Sequence, residues 1–200
     1  MEYIEKYLSQ LKEISDDIDR ETLNKLILRL LDLKKINGRV FFIGVGGSAA
    51  NCSHAVNDFR KIAEIDSYTP LDNIAEVTAR TNDEGFETIF VEWLKRSRAN
   101  KNDMLFVLSV GGGNIENNVS VNIIKAIEYC KKNNTTIAGI IGRDGGFVKK
   151  NSDLTILIPT KSDDTITPHA ESWQSIIWHL IVSDPRIMSY SNKWESIDRK

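Results

Sequence analysis

Three histidines occur in the 200 residues, at positions 54, 169 and 179, and two of them fall where proton or metal chemistry is feasible. His54 is followed four residues later by Asp58, a spacing that puts both on one face if the segment is helical. Glu171 precedes His179 by eight residues. Eight steps of roughly 100° leave those two side chains about 80° apart, still on one broad helical face. Two imidazoles and two carboxylates on two helices could form a four-ligand site for a borderline divalent cation; alternatively each is only a surface or satisfied core residue, with His54–Asp58 a helix-surface pair. The same four groups could instead supply an acid and a base for proton transfer without any metal. His169 has no assigned role.

Two glycine-rich stretches add a second kind of chemistry. Gly44-Val45-Gly46-Gly47-Ser48-Ala49 follows the apolar run Val40–Ile43, and Ser109-Val110-Gly111-Gly112-Gly113-Asn114 follows Met104–Leu108. Glycine allows close backbone approach and positive φ, so N–H groups can converge on an anion while a helix dipole adds partial positive charge. The pair of loops points to a phosphate or phosphorylated ligand; alternatively each loop only makes a tight strand-to-helix turn. The first loop also fits G-x-G-x-x-A through Gly44, Gly46 and Ala49, with Asp66 beyond it. No clear apolar strand ends at Asp66, so the dinucleotide reading is weak.

The elements that must carry these residues follow from periodicity. Tyr3, Ile4, Leu8, Leu11 and Ile14, then Leu23 to Leu33, recur at helical spacing, with Asp16 and Asp17 as candidate caps of the second helix. From Arg39 the texture changes. Val40–Ile43, Met104–Leu108, Thr136–Ile141 and Leu154–Ile158 are short runs apolar on both faces, as strands of a covered parallel sheet must be. A further strand near Ser67–Pro70 is weakly signalled. Crossover helices are expected at 49–62, 84–99 and 119–130, and a last helix at 169–182. The fold class is therefore α/β, a doubly wound parallel sheet flanked by helices. One domain is expected, with a helical arm at 1–37, a core at 38–184 and a polar tail at 185–200.

Composition narrows the function classes. Lys and Arg total 26 against 28 Asp and Glu, for a formal charge of −2, with 41% hydrophobic and 27% charged residues. No polybasic block favours nucleic acid or an anionic membrane. Two cysteines supply no disulfide framework, and the start of the chain lacks a basic stretch leading into an apolar one. A cytoplasmic protein with reduced thiols is the expectation.

The run ending at Asp58, RVFFIGVGGSAANCSHAVND, resembles the opening of a sugar isomerase (SIS) domain. The fuller pattern is similar to the bacterial phosphoheptose isomerases: a GGS loop, a helix bearing H-x-x-x-acid, Asn82-Asp83, a serine-led loop after the next strand, and a last helix reaching His179. The resemblance covers essentially the whole chain. It implies a SIS-type α/β sandwich and a homotetramer whose active sites form between subunits. It also implies one zinc ion per site, held by His54, Asp58, Glu171 and His179. Asp58 stands where that family has Glu, and Glu171 where it has Gln. In the second loop Val110 and Gly111 replace hydroxyl residues, and about six extra residues precede Ser120. Phosphate and substrate contacts would fall to Gly46, Gly47, Ser48, Ser109, Gly111 and Ser120, with Asn82 and Asp83 orienting sugar hydroxyls; Asp83 could otherwise cap a helix start. The implied reaction interconverts sedoheptulose 7-phosphate and D-glycero-D-manno-heptose 7-phosphate, for heptose biosynthesis. Asp58 or Glu171 would be the base, and His179 the acid or shuttle, since imidazole titrates near neutrality. A phosphosugar-binding module without catalysis, an isomerase for another sugar phosphate, and a nucleotide binder are the alternatives.

Overall fold

A computed structural model describes residues 1–193. Its centre is a sheet of five parallel strands in the order β2-β1-β3-β4-β5: β1 (Val40–Ile43), β2 (Ser67–Tyr68), β3 (Met104–Ser109), β4 (Thr136–Ile141) and β5 (Leu154–Leu157). Val40 pairs with Ser67 on one side and Met104 on the other, and Met104 pairs with Thr136. Every residue of β1, β3 and β4 is buried, which explains why these strands read as unbroken apolar runs rather than alternating ones.

The two sheet faces carry separate cores. Helices α1 (Glu2–Asp17), α2 (Arg20–Lys35), α3 (Gly47–Lys61) and α8 (Ile166–Ser183) cover the face presented by Val40, Phe42, Phe106 and Ile140. Helices α5 (Ile89–Arg96), α6 (Val121–Lys132) and α7 (Gly146–Asn151) cover the face presented by Phe41, Ile43, Leu105 and Ile137. β1 sends its crossover to the first face and β3 sends its own to the second. Their divergent loops open a crevice at the strand C-termini, the place where such sheets bind ligands.

Several expectations need correction. Asp19, not Asp16 or Asp17, caps α2 by accepting from the Thr22 N–H, because α1 runs through Asp17. The segment expected as one helix over 84–99 is divided. Helix α4 (Ile74–Glu84) precedes Gly85, whose φ of +90° ends it, and α5 begins at Ile89. Asp83 therefore sits in the last turn of α4, so it does not cap a helix start. The stretch expected to open a helix at 119 instead pairs Val119 with Asn114, and α6 starts at Val121.

Helix α2 buries Leu23, Leu26, Ile27, Leu30 and Leu33 in the core, whereas α1 buries Ile14 and leaves Tyr3, Ile4 and Leu8 exposed. Of the expected polar tail, residues up to 193 are described and are mostly exposed; Ile187 is buried, and Ser189 N–H donates to the Ile62 carbonyl. Residues 194–200 lie outside the described residues.

Candidate functional site

Helices α3 and α8 lie side by side, and their contact brings His54, Asp58 and His179 together. Phe59 and Trp178 are both fully buried core residues of this layer. Asp58 precedes Phe59 and His179 follows Trp178, so packing the two aromatic anchors delivers the polar neighbours to one spot. His54 Nε2 lies 3.4 Å and His179 Nε2 3.2 Å from Asp58 Oδ2. The imidazole side chains are 56% and 49% exposed, against 9% for the carboxylate. Asp58 is held at both oxygens: Trp178 Nε1 donates to Oδ2 at 3.1 Å and Asn57 Nδ2 to Oδ1 at 3.0 Å. Ring contacts of 5.1–5.3 Å among His54, Trp178 and His179 fix the imidazoles further.

One donor atom from each of His54, Asp58 and His179 lies within 4.8 Å of the others. Two imidazole nitrogens and one carboxylate oxygen form a donor set that could hold a divalent metal.

Glu171 is elsewhere. A β-carbon built on Gly47 would lie 2.6 Å from Glu171 Oε1, so the carboxylate rests on the first turn of α3, where a helix dipole favours negative charge. Its backbone carbonyl accepts from Asn51 Nδ2 at 2.9 Å. Gln174, a residue the sequence reading did not single out, joins the same contact. Fully buried, it accepts from Asn51 Nδ2 at 2.8 Å and donates to Ser48 Oγ at 3.0 Å. Ser48 is thus buried between α3 and α8, while Gly46 remains exposed as the α3 N-cap with φ +66°. A buried polar pair linking two helices can be sought in sequence only as Gln or Asn inside an apolar stripe, and Gln174 has that setting.

The second glycine loop has a different construction. Ser109 Oγ accepts the Gly112 N–H at 3.0 Å. The Gly112 and Gly113 carbonyls accept from Val148 and Phe147 N–H groups, which caps α7. Gly112 has φ +70°, and a β-carbon there would strike the Gly145 carbonyl oxygen. Glycine is required here for loop-to-loop packing. Beyond this loop Ser120 adopts a left-handed conformation as the α6 N-cap, with no side-chain capping bond. A cleft of about 540 Å³ opens between Val45 of the first loop and the start of α6, lined also by Phe86, Glu87, Ser120, Asn122 and Lys125. Gly111 instead borders a wider cleft of about 930 Å³ that includes Arg143 and Lys150. Asn82 and Asp83 are exposed on α4 and bond to each other, Asn82 Nδ2 donating to Asp83 Oδ1 at 2.7 Å.

His169 is buried; its Nε2 lies 2.9 Å from Gln10 Oε1 and its ring stacks near Tyr7, which docks α1 on α8. Desolvation holds its pKa below the ordinary histidine value. Both cysteines are buried free thiols, and burial pushes Cys130 up to about 12. No described helix is long and apolar enough to cross a membrane.

Known proteins are similar to this chain. Over 186 residues the chain is 27% identical to the phosphoheptose isomerase of Fusobacterium nucleatum, covering 90% of each. Over 184 residues it is 29% identical to that of Chlorobaculum tepidum, covering 88% of this chain and 83% of the other. The solved structure of phosphoheptose isomerase from Neisseria gonorrhoeae superposes with a TM-score of 0.77 at 20% identity, over 90% of this chain and 93% of that one, which shows a common fold. Residues 2–142 match the SIS domain, and the chain belongs to that family.

Proposed function

We propose that this chain is a phosphosugar aldose–ketose isomerase. Its substrate is sedoheptulose 7-phosphate, converted through an enediol to D-glycero-D-manno-heptose 7-phosphate. The observation that carries the reading is the convergence of His54, Asp58 and His179 around one buried carboxylate oxygen. Binding a phosphosugar needs only hydroxyl and phosphate contacts; a held carboxylate between two accessible imidazoles is what proton transfer needs.

Asp58, oriented at both oxygens by Trp178 and Asn57, takes the proton from the carbon beside the carbonyl. The C–H electron pair becomes the enediol double bond, and the former carbonyl oxygen gains a proton. His179 moves protons between the two oxygens, and the proton returns to the neighbouring carbon to give the aldose. His54, Asp58 and His179 would hold zinc; with the ion bound, Asp58 would keep its second oxygen for the proton, and His179 would act as ligand in place of shuttle. When bound, such an ion polarises the carbonyl and hydroxyl oxygens of the substrate. Glu171 rests against Gly47, so the base role goes to Asp58.

The phosphate goes to the cleft at Ser120 and the first turn of α6, with Ser109 shaping the loop. That cleft opens in the layer of α6, whereas the histidines lie in the layer of α3 and α8. The separation favours a site completed between copies of the chain, and the exposed apolar residues Tyr3, Ile4, Leu8, Ile176 and Leu180 provide faces for a homotetramer. A second reading, an isomerase for a different sugar phosphate, is favoured by Glu171, whose carboxylate lies on the first glycine loop and would repel an anion there.

Metal analysis combined with a thermal-shift panel of sugar phosphates tests the proposal. Stabilisation by sedoheptulose 7-phosphate and about one zinc per chain are expected. His179→Gln should lower turnover by about 10²–10⁴-fold while keeping phosphate-anchored binding. A panel in which no sugar phosphate shifts the melting point would reject the reading.

A further inference from the structure

Among the described residues, three buried side-chain polar atoms lack a hydrogen-bond partner, and one of them, Asn122 Nδ2, belongs to a residue lining the crevice cleft. Asn122 is 2% exposed, and its amide oxygen already accepts the Ile123 N–H at 2.8 Å. The unpaired end is therefore the donor end. A buried N–H without an acceptor is costly, and native structures seldom keep one unless something else supplies the acceptor.

The surroundings indicate what that acceptor is. Asn122 is in the first turn of the twelve-residue helix α6, where the backbone N–H groups and the dipole favour an anion. One turn on, Lys125 also lines the cleft, and its ammonium is held only loosely, 3.7 Å from Glu87 Oε1. Positions three apart share a helix face. The neighbouring loop offers little in compensation: Val110 and Gly111 carry no hydroxyl, and the Gly112 N–H is already donated to Ser109.

We infer that Asn122 and Lys125 are the specificity-determining side chains for the phosphoryl group of the ligand. In this arrangement the Asn122 amide donates to a phosphate oxygen and Lys125 exchanges Glu87 for the phosphate. The inference rests on the phosphosugar reading above and adds to it the groups that recognise the phosphate in this chain. Glu87 then acts as a stand-in anion that a ligand must displace.

Calorimetric titration of the full chain with sedoheptulose 7-phosphate, and separately with inorganic phosphate, tests this. Asn122→Asp keeps the acceptor for Ile123 and removes the donor, so affinity for both probes should fall about ten- to a hundredfold. Glu87→Gln alters an exposed side chain and releases Lys125, so affinity should rise by up to about fivefold. Lys125→Met should weaken both probes and abolish the gain from Glu87→Gln in the double variant. Wild-type binding with affinity unchanged in Asn122→Asp and in Lys125→Met overturns this inference alone. Absence of binding by the wild-type chain overturns the phosphosugar reading and the inference together. Unliganded melting points of each variant separate lost folding from lost recognition, and Glu87→Gln tests the pair even if Asn122→Asp fails to fold.

Discussion

Replacing Asp58 in two ways separates what its carboxylate does for the fold from what it does for chemistry. In Asp58→Ala the Trp178 indole N–H, in a fully buried side chain, loses its acceptor at 3.1 Å. An orphaned buried donor costs about 1–3 kcal/mol, which for a chain of this size lowers the melting point by about 2–12 °C. Asp58→Asn retains an oxygen for Trp178 and nearly the same volume, so most of that loss should be absent. If Asp58 is the base as proposed, turnover of sedoheptulose 7-phosphate should fall by about 10²–10⁴-fold in both variants. Differential scanning calorimetry and a coupled assay for the aldose product read the two effects separately. Asp58→Asn with turnover within tenfold of wild type would refute the assignment of Asp58 as base. Equal melting points for Asp58→Ala and wild type would refute the structural role of the Trp178 bond.

The two glycine loops should respond oppositely to alanine. Gly112→Ala combines a φ of +70° with a backbone clash at Gly145 and should cost about 2 kcal/mol or more. Gly47→Ala meets only the movable end of Glu171 and should stay within about 0.5 kcal/mol of wild type by urea denaturation; similar costs at both positions would contradict this. His169 carries a pH signature. Because burial depresses its folded pKa, the unfolded chain binds the proton first, so its contribution is intact above about 6.5 and is lost as pH falls below that. His169→Gln should flatten the decline in stability between about pH 7 and 5 relative to wild type, and identical slopes would count against it. Light scattering should find a tetramer that Leu180→Glu dissociates, and a wild-type monomer at micromolar concentration would reject the proposed assembly.

The strands most legible in the sequence were those buried on both faces. β1 and β4 have the bounds that their apolar runs suggest, and β3 gains one residue at Ser109. Two-residue β2 was faint because an edge strand that short has too few side chains to show a period. Helix α7 has no signal in the sequence because it is only six residues long and its start is capped by carbonyls of another loop. The pairing of His54 with Asp58 is legible from their i,i+4 spacing, whereas His179 joining them follows only from the family resemblance, because spacing within one helix does not report a contact between two. Glu171 was harder to place. Counting angles around α8 puts it near His179, but eight residues also advance roughly 12 Å along the axis, which brings it to the start of α3 instead. Trp178 and Gln174 were missed because their polar atoms find partners only across the α3–α8 contact, and periodicity reports burial without reporting what a buried polar tip meets.

The central claim is proton transfer at the carbon next to a sugar-phosphate carbonyl. Proton NMR of sedoheptulose 7-phosphate in deuterated buffer, with wild-type protein and with His179→Gln, tests it most directly. With wild-type protein the aldose should appear with deuterium at the former carbonyl carbon, and with the variant none should form. Wild-type protein that binds the sugar phosphate yet leaves every carbon-bound hydrogen in place would contradict it.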